Sequence, residues 1–310
     1  SSSWNTHDSC EQQFFLQYTL GLPNPAGIKA SKGNVVHKAL ECLAAYKLAI
    51  QKGNINFVDD TLGIINVEDC DPDQLIEQSY EWHKINCHHE WDDKVDLEDC
   101  RKWMYKALNF RGGLYDPRNR KIITPEVKFD FEILKPWAKY NYELPNGKKL
   151  EGHLALKGTI DLVTEVRPKV IEIIDWKTGA TRNDFATGKK KDFYSLHKDT
   201  QLRLYHYAAH HLYPQYDEIM MTIYFVRAGG PFTLMLSKDD LPETERIIER
   251  KFKQVKNSVR PRLNPGPPWA RYPHKSIAEY KCFKLCAFSK PSQQDPSRSV
   301  CEFMKDQVLE

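Results

Sequence analysis

Asp161, Asp175 and Lys177 are the residues whose types and spacing could do chemistry together. They lie in two apolar runs, Gly158-Thr159-Ile160-Asp161-Leu162-Val163 and Ile171-Glu172-Ile173-Ile174-Asp175-Trp176-Lys177-Thr178-Gly179. Side chains of a strand alternate between faces, so Ile173, Asp175 and Lys177 share one face while Glu172, Ile174 and Trp176 take the other. A hairpin turn within residues 165–169 brings Asp161 beside Asp175. Two carboxylates and an ammonium group then converge at the ends of neighbouring strands. Like charges at short range in a dry site cannot both stay ionised unless a cation neutralises them. Carboxylate oxygens are hard ligands and select Mg²⁺ or Mn²⁺. The lysine can orient or deprotonate a water, or offset charge that builds up on a phosphate. Taken alone, Asp-x-Lys at a strand end is ordinary solvated surface. The surroundings distinguish this one: Gly158 stands three residues before Asp161, and Gln201 and Tyr205 follow, four apart and on one helix face.

The elements that must position these residues are legible from periodicity. Val35, Val36, Leu40, Leu43, Ala44 and Leu48 recur at helical spacing over about 31–52, and Gly53 closes the segment. Residues 68–112 read as further helices, opened by Asp71-Pro72-Asp73 and closed by Gly112-Gly113. Strand character occupies 122–123, 127–134, 154–163 and 170–176, with Asn146-Gly147 as a hairpin turn between two of these runs. A helix over 201–213, a strand over 219–227, a second over 232–236 and a charged helix over 241–258 follow. Pro261, Pro265, Pro267 and Pro268 make 260–273 a linker or loop. The order predicts a mixed α/β fold.

Composition narrows the class. The 310 residues carry 45 basic against 42 acidic side chains, a formal charge of +3, with 41% apolar and 28% charged residues. That is a globular balance with ample length for a buried core. Near-neutral charge requires any nucleic-acid affinity to come from a local basic surface. No run approaches the length of a membrane span, and the N-terminus has neither the basic start nor the apolar stretch of a secretory signal. With eight cysteines and no such signal, an intracellular protein with reduced or metal-bound thiols is expected, cytoplasmic or nucleoid-associated, with no membrane partner.

Four blocks in order make the chain resemble the RecB-type branch of the PD-(D/E)xK nucleases, which includes CRISPR-adaptation-type exonucleases. They are Ser1-x-Ser3 with Cys10 and Phe14-x-x-x-Tyr18; Gly33-x-x-x-His37-x-x-x-Glu41; Gly158-x-x-Asp161 with Asp175-x-Lys177; and Gln201-x-x-x-Tyr205. The resemblance implies an α/β, restriction-endonuclease-like core with a mixed central sheet flanked by helices. It divides a single nuclease domain, 1–310, into a helical insertion at 54–115, a catalytic core at 116–240 and a cysteine-containing segment at 274–310. It implies that His37, Asp161, Asp175 and the backbone carbonyl of Trp176 bind Mg²⁺ or Mn²⁺, that Lys177 is the catalytic lysine, and that Gln201 and Tyr205 position the lysine or the DNA strand. Glu126 stands where such nucleases often have an acidic strand residue, with Glu132 and Glu151 as competitors. The activity implied is hydrolysis of DNA ends or single strands in recombination, repair or processing, with a helicase or recombination protein as partner. A non-catalytic DNA-binding module of such a complex is the alternative.

Several RecB-type nucleases hold a [4Fe–4S] cluster on one N-terminal and three C-terminal cysteines. Cys10, Cys282, Cys286 and Cys301 stand in that order, although gaps of three and fourteen residues depart from the usual spacing. Zinc or plain buried thiols are the competing assignments. Cys70, Cys87 and Cys100, with His83, His88 and His89, lack ligand spacing and read as helical core. Lys189, Lys190 and Lys191 are candidate phosphate contacts, as are Lys251, Lys253, Lys256, Arg260 and Arg262. Phe193, Tyr194 and Trp269 could stack bases.

Overall fold

The run Val170 to Lys177 is apolar at five of its eight positions, four of them β-branched, as suits a strand covered on both faces, and it forms the middle of the central sheet. The structure, a computed structural model, describes residues 2–24, 27–68, 70–143, 147–180, 192–197, 199–257, 286–288 and 300–301. Along the chain it runs α1 (Ser2–Ser9), α2 (Glu11–Phe14, continued by a π-helical turn over Phe15–Thr19), α3 (Ile28–Gln51), β1 (Asn56–Asp59), β2 (Gly63–Asn66), α4 (Pro72–Ile85), α5 (Asp93–Leu108), β3 (Lys121–Thr124) and β4 (Val127–Glu132). Then come β5 (Lys139–Glu143), β6 (Lys149–His153), β7 (Ala155–Ile160), β8 (Leu162–Arg167), β9 (Val170–Lys177), α6 (Phe193–His197), α7 (Thr200–Leu212), β10 (Glu218–Phe225), β11 (Gly230–Ser237) and α8 (Leu241–Asn257).

The central sheet has the order β11-β10-β9-β8-β3. Only β9 and β10 are parallel, and a parallel neighbour requires a long crossover. That crossover carries α7 across one face of the sheet. On this face Ile171, Ile173, Ile223 and Val163 pack with Leu202, Tyr205, Ala208 and Ile248. On the other, Ile174, Trp176, Leu162 and Tyr224 pack with Val36, Leu40 and Leu43 of α3 and Trp103 and Met104 of α5. The face assignments expected from strand alternation therefore hold along β9, and the architecture is helix–sheet–helix.

Helix ends are set by side chains named in the sequence. Asp71 accepts from the Asp73 and Gln74 amides and caps α4; Asp199 accepts from the Gln201 amide and caps α7. A buried ion pair joins two helices of one layer, with Lys32 of α3 bridging Asp96 and Asp99 of α5 at 2.7 Å each.

Three expectations need correction. The run 154–163 is two strands, since β7 pairs with β4 whereas β8 pairs with β9 and β3, and the chain bends at Asp161 between them. Apolar periodicity carries straight through such a bend. Gly147, at φ +79, belongs to a separate hairpin, β5–β6, inserted between β4 and β7; its strands are mostly polar and give little apolar signal. Within 54–115, the helices α4 and α5 are preceded by a hairpin, β1–β2, whose Val58 and Ile64 remain exposed.

The back of α7 is fastened by a polar chain. Ser237 O can only accept, so His206 donates to it from Nε2 (3.0 Å) and accepts at Nδ1 from Thr244 (2.9 Å), which in turn accepts from Arg203 (3.3 Å). This geometry needs a neutral imidazole. Burial, reinforced by the neighbouring His210, pushes the His206 pKa down to about 4. A depressed histidine contributes stability that is complete above the unfolded pKa of about 6.5 and is lost as the pH falls toward 4. The thermal midpoint is expected to fall over that window, reflecting up to about 3 kcal/mol from this group. His206→Gln, measured over the same pH range, should lack that component; an identical pH profile in the two proteins would refute the assignment.

Candidate active site

The β8–β9 register sets Leu162 opposite Ile174, so Asp161, one residue earlier, comes opposite Asp175. One oxygen of Asp161 accepts the Trp176 backbone N–H at 2.9 Å, and this bond locks the bend to the end of β9. Asp175 is almost wholly buried on the α7 face. Its Oδ1 lies 3.0 Å from the Gln201 amide nitrogen and 3.1 Å from the Tyr205 hydroxyl. Gln201 also donates to the Tyr205 oxygen at 2.8 Å, and Tyr205 reaches the Thr159 carbonyl at 2.9 Å. The predicted i, i+4 pair on α7 therefore braces Asp175 and the strand before the bend at once. The other oxygen, Oδ2, meets the Lys177 ammonium at 2.6 Å but lacks a hydrogen-bond partner in proper alignment. Among the described residues it is the one buried carboxylate oxygen in that position.

His37 enters from the opposite helix layer. Its Nδ1 stands 3.5 Å from Asp161 Oδ2, and its ring meets Trp176 edge to face. Four residues earlier on the same face of α3, Gly33 lies against Thr178: a Cβ at Gly33 would come within 2.6 Å of Thr178 Oγ1. A side chain there would push α3, and His37 with it, away from the strand end. His37, Asp161, Asp175, Trp176, Lys177, Gln201 and Tyr205 are thus brought together by α3, the bend after β7, the end of β9 and the start of α7.

The electrostatics follow from this crowding. Burial opposes charge on each group, and neighbours decide the outcome. His37 and Lys177 outweigh burial at Asp161 and hold its pKa below the carboxylate range. Burial, with Asp161 beside it, pushes the Asp175 pKa up despite Lys177. The two carboxylates raise the Lys177 and His37 pKa values against the effect of burial. One carboxylate ionised and one resisting ionisation is the pattern of a pair short of positive charge. Carboxylate and imidazole donors around a buried carboxylate oxygen that meets the Lys177 ammonium suit a hard divalent ion.

Other candidates fall elsewhere. Glu41, Asp59 and Asp60 place carboxylate oxygens within 4.8 Å of one another and could hold a metal ion. Lys38 contacts all three, at 2.7, 3.2 and 2.9 Å, so a cation already sits among them. Burial pushes Glu41 up to about 7 even so. Glu126 pairs with Lys128 at 3.5 Å and acts electrostatically on Glu41. Lys251 is buried against Asp8 and so turned into the protein, whereas Lys253 pairs with Glu249 at 2.7 Å and stays exposed. Lys189, Lys190, Lys191 and Cys282 lie outside the described residues, as do Arg260, Arg262 and Trp269. Cys42 and Cys100 are core residues, and Cys87 accepts the Trp91 indole N–H at 2.7 Å. Cys286 and Cys301 pack with Phe15, Leu16, Leu22 and Phe288, next to the segment that Cys10 caps by accepting the Gln13 amide at 3.3 Å. Sequence reasoning missed Gly33–Thr178 and Asp199; the Asp199-Thr200-Gln201 cap pattern was the available signal for the second.

A sequence model of the PD-(D/E)XK nuclease superfamily matches residues 1–290. The chain belongs to that superfamily of metal-dependent nucleases, and its five-stranded mixed sheet between helix layers is the restriction-endonuclease-like fold. No curated protein matches the chain. No helix among the described residues is long and apolar enough to cross a membrane.

The Gly33 contact makes a steric prediction. Gly33→Ala should gain about 1 kcal/mol of helix propensity, yet is expected to destabilise the protein by about 1–3 kcal/mol in urea unfolding because of the overlap. Thr178→Ala should remove the penalty in the double variant. A double variant no more stable than Gly33→Ala alone would show that the clash lies elsewhere.

Proposed function

We propose that the protein is a metal-dependent exodeoxyribonuclease that hydrolyses phosphodiesters of DNA ends or single strands, serving recombination, repair or DNA processing beside a helicase or recombination protein. The observation that carries this reading is the Asp161–Asp175 pair, with Asp175 buried: among the described residues only Lys177 and His37 stand beside it as cations, and Asp175 Oδ2 meets Lys177 without an aligned hydrogen bond. Asp161, Asp175, His37 and the Trp176 carbonyl would hold Mg²⁺ or Mn²⁺. When bound, such an ion supplies a polarised water and charge neutralisation for the phosphate. Lys177 supplies the remaining positive charge at the scissile group and a donor for the attacking water. Gln201 and Tyr205 fix the rotamer of Asp175 from behind, and Trp176 N–H fixes that of Asp161. His37 completes the donor set with a neutral imidazole nitrogen. The exposed rings of Phe193 and Tyr194, at the start of the α7 crossover, suit stacking of unpaired bases.

The whole chain is read as one nuclease domain, with 54–115 as an insertion before the catalytic core at 116–240. The ends of the chain support a cofactor reading as well. Buried Cys10 and Cys301, with Cys286 and Cys301 packed on Phe15, Leu16 and Leu22 of the segment that follows Cys10, favour a [4Fe–4S] cluster completed by Cys282. It would staple residues 274–310 to the N-terminus. Iron and acid-labile sulfide in equal amounts, with visible colour lost in Cys301→Ser, are expected; stoichiometric zinc would replace this assignment.

The central test is cleavage of end-labelled single- and double-stranded DNA. Mg²⁺ or Mn²⁺ should support loss of label and EDTA should stop it. Asp161→Ala and Lys177→Ala should each lower the rate at least about a hundredfold while keeping a cooperative unfolding transition and the wild-type circular dichroism spectrum. Wild-type rates in either variant would remove these residues from the mechanism.

A further inference from the structure

Trp103 of α5 is nearly buried and has a cation over each of two approaches. Lys32 lies 5.4 Å from the ring centroid and is neutralised by Asp96 and Asp99. Arg227, just past the end of β10, lies closer, 4.1 Å from the same centroid, and no carboxylate pairs with it among the described residues. Its one hydrogen bond among them is a long one, from NH1 to the Thr178 carbonyl at 3.5 Å. A guanidinium carries five donors in a rigid fork, so most of this fork is unengaged, and the residue is only half-buried. Its place is specific. Thr178 directly follows Lys177, and the Val226 amide, one residue before Arg227, bonds to the Lys177 carbonyl at 3.0 Å. A cation stacked on an indole is held in orientation without being neutralised, and a partly desolvated charge left unpaired is costly unless a ligand meets it.

We propose that Arg227 is a phosphate-binding residue: held by Trp103 and the Thr178 carbonyl, it receives the phosphodiester next to the one cleaved and so sets the register of the DNA strand at Lys177. The ligand class is a single phosphodiester of a nucleic-acid backbone, for which a planar two-donor fork is the matching shape. The inference rests on the nuclease reading for its location but is tested through binding, so the two can fail separately. It also accounts for the asymmetry at Trp103. The structural cation, Lys32, has its counter-charges inside the protein, whereas Arg227 leaves that role to the substrate.

The test uses the full chain with Lys177→Ala to prevent cleavage, and a fluorescent single-stranded oligonucleotide as probe. Arg227→Met keeps a side chain able to pack on Trp103 and removes the fork. It should weaken binding about tenfold and reduce the slope of log affinity against log salt by about 0.7, one phosphate contact on a single strand. Arg227→Lys should preserve the slope while losing several-fold in affinity. Arg167→Met, which removes an exposed arginine at the far end of β9, should change neither. In a series of oligonucleotides with one neutral methylphosphonate each, one position should weaken binding to the Arg227 protein and have no further effect in Arg227→Met. Unchanged affinity and slope in Arg227→Met, an equal loss in Arg167→Met, or identical methylphosphonate profiles would overturn the proposal. Absence of cleavage by the Lys177 protein under every metal would overturn the nuclease reading while leaving the binding result to stand.

Discussion

Holding Asp161, mostly shielded, beside the buried Asp175 is the constraint around which this molecule is arranged. Neighbouring carboxylates out of water repel each other and lose hydration, so positive charge and hydrogen bonds must be delivered from several directions. The chain delivers them from every layer. His37 comes from the helix on one face, Gln201 and Tyr205 from the helix on the other, and Lys177 and the Trp176 amide from the strand itself. None of these elements could slide by a residue without stranding a charge. The bend at Asp161, the close approach of Gly33 to Thr178 and the Asp199 cap on α7 serve that registration.

Comparison with other buried charges sharpens the point. On the opposite face of β9, Glu172 is bonded by Arg120 and Thr222. Lys32 satisfies Asp96 and Asp99, and Lys38 sits among Glu41, Asp59 and Asp60. Each of those sets closes on itself and functions as a joint between neighbouring elements. Asp175 differs because its second oxygen has an ammonium nearby without an aligned hydrogen bond. A carboxylate left open where these other carboxylate sets are closed is where chemistry with an external cation can be placed.

Much of this was legible beforehand for a definite reason. The shared face of Asp175 and Lys177 follows from strand alternation, and the pairing of Gln201 with Tyr205 from helix periodicity; both are local geometry. The β5–β6 strands were not legible because they are mostly polar, and β1–β2 because two four-residue strands are too short for alternation to register. Nor was the division of 154–163 into two strands, because the residues on either side of Asp161 are apolar in both sheets they serve. Lys251, expected on a basic surface, turned out to be buried against Asp8, since charge in a sequence does not specify which partner lies across the fold.

The sequence by itself determined the chemical types present, their order, and which of them share a face of a strand or helix, because side-chain direction repeats every two residues in a strand and every 3.6 in a helix. Only the tertiary structure decided that His37 reaches Asp161, that Gly33 abuts Thr178, that Lys38 fills a second acidic group and that Arg227, with no carboxylate partner among the described residues, stands beside the end of β9. Those are contacts between segments far apart in the chain, fixed by how helices pack on the sheet and by the crossover that makes β10 parallel to β9.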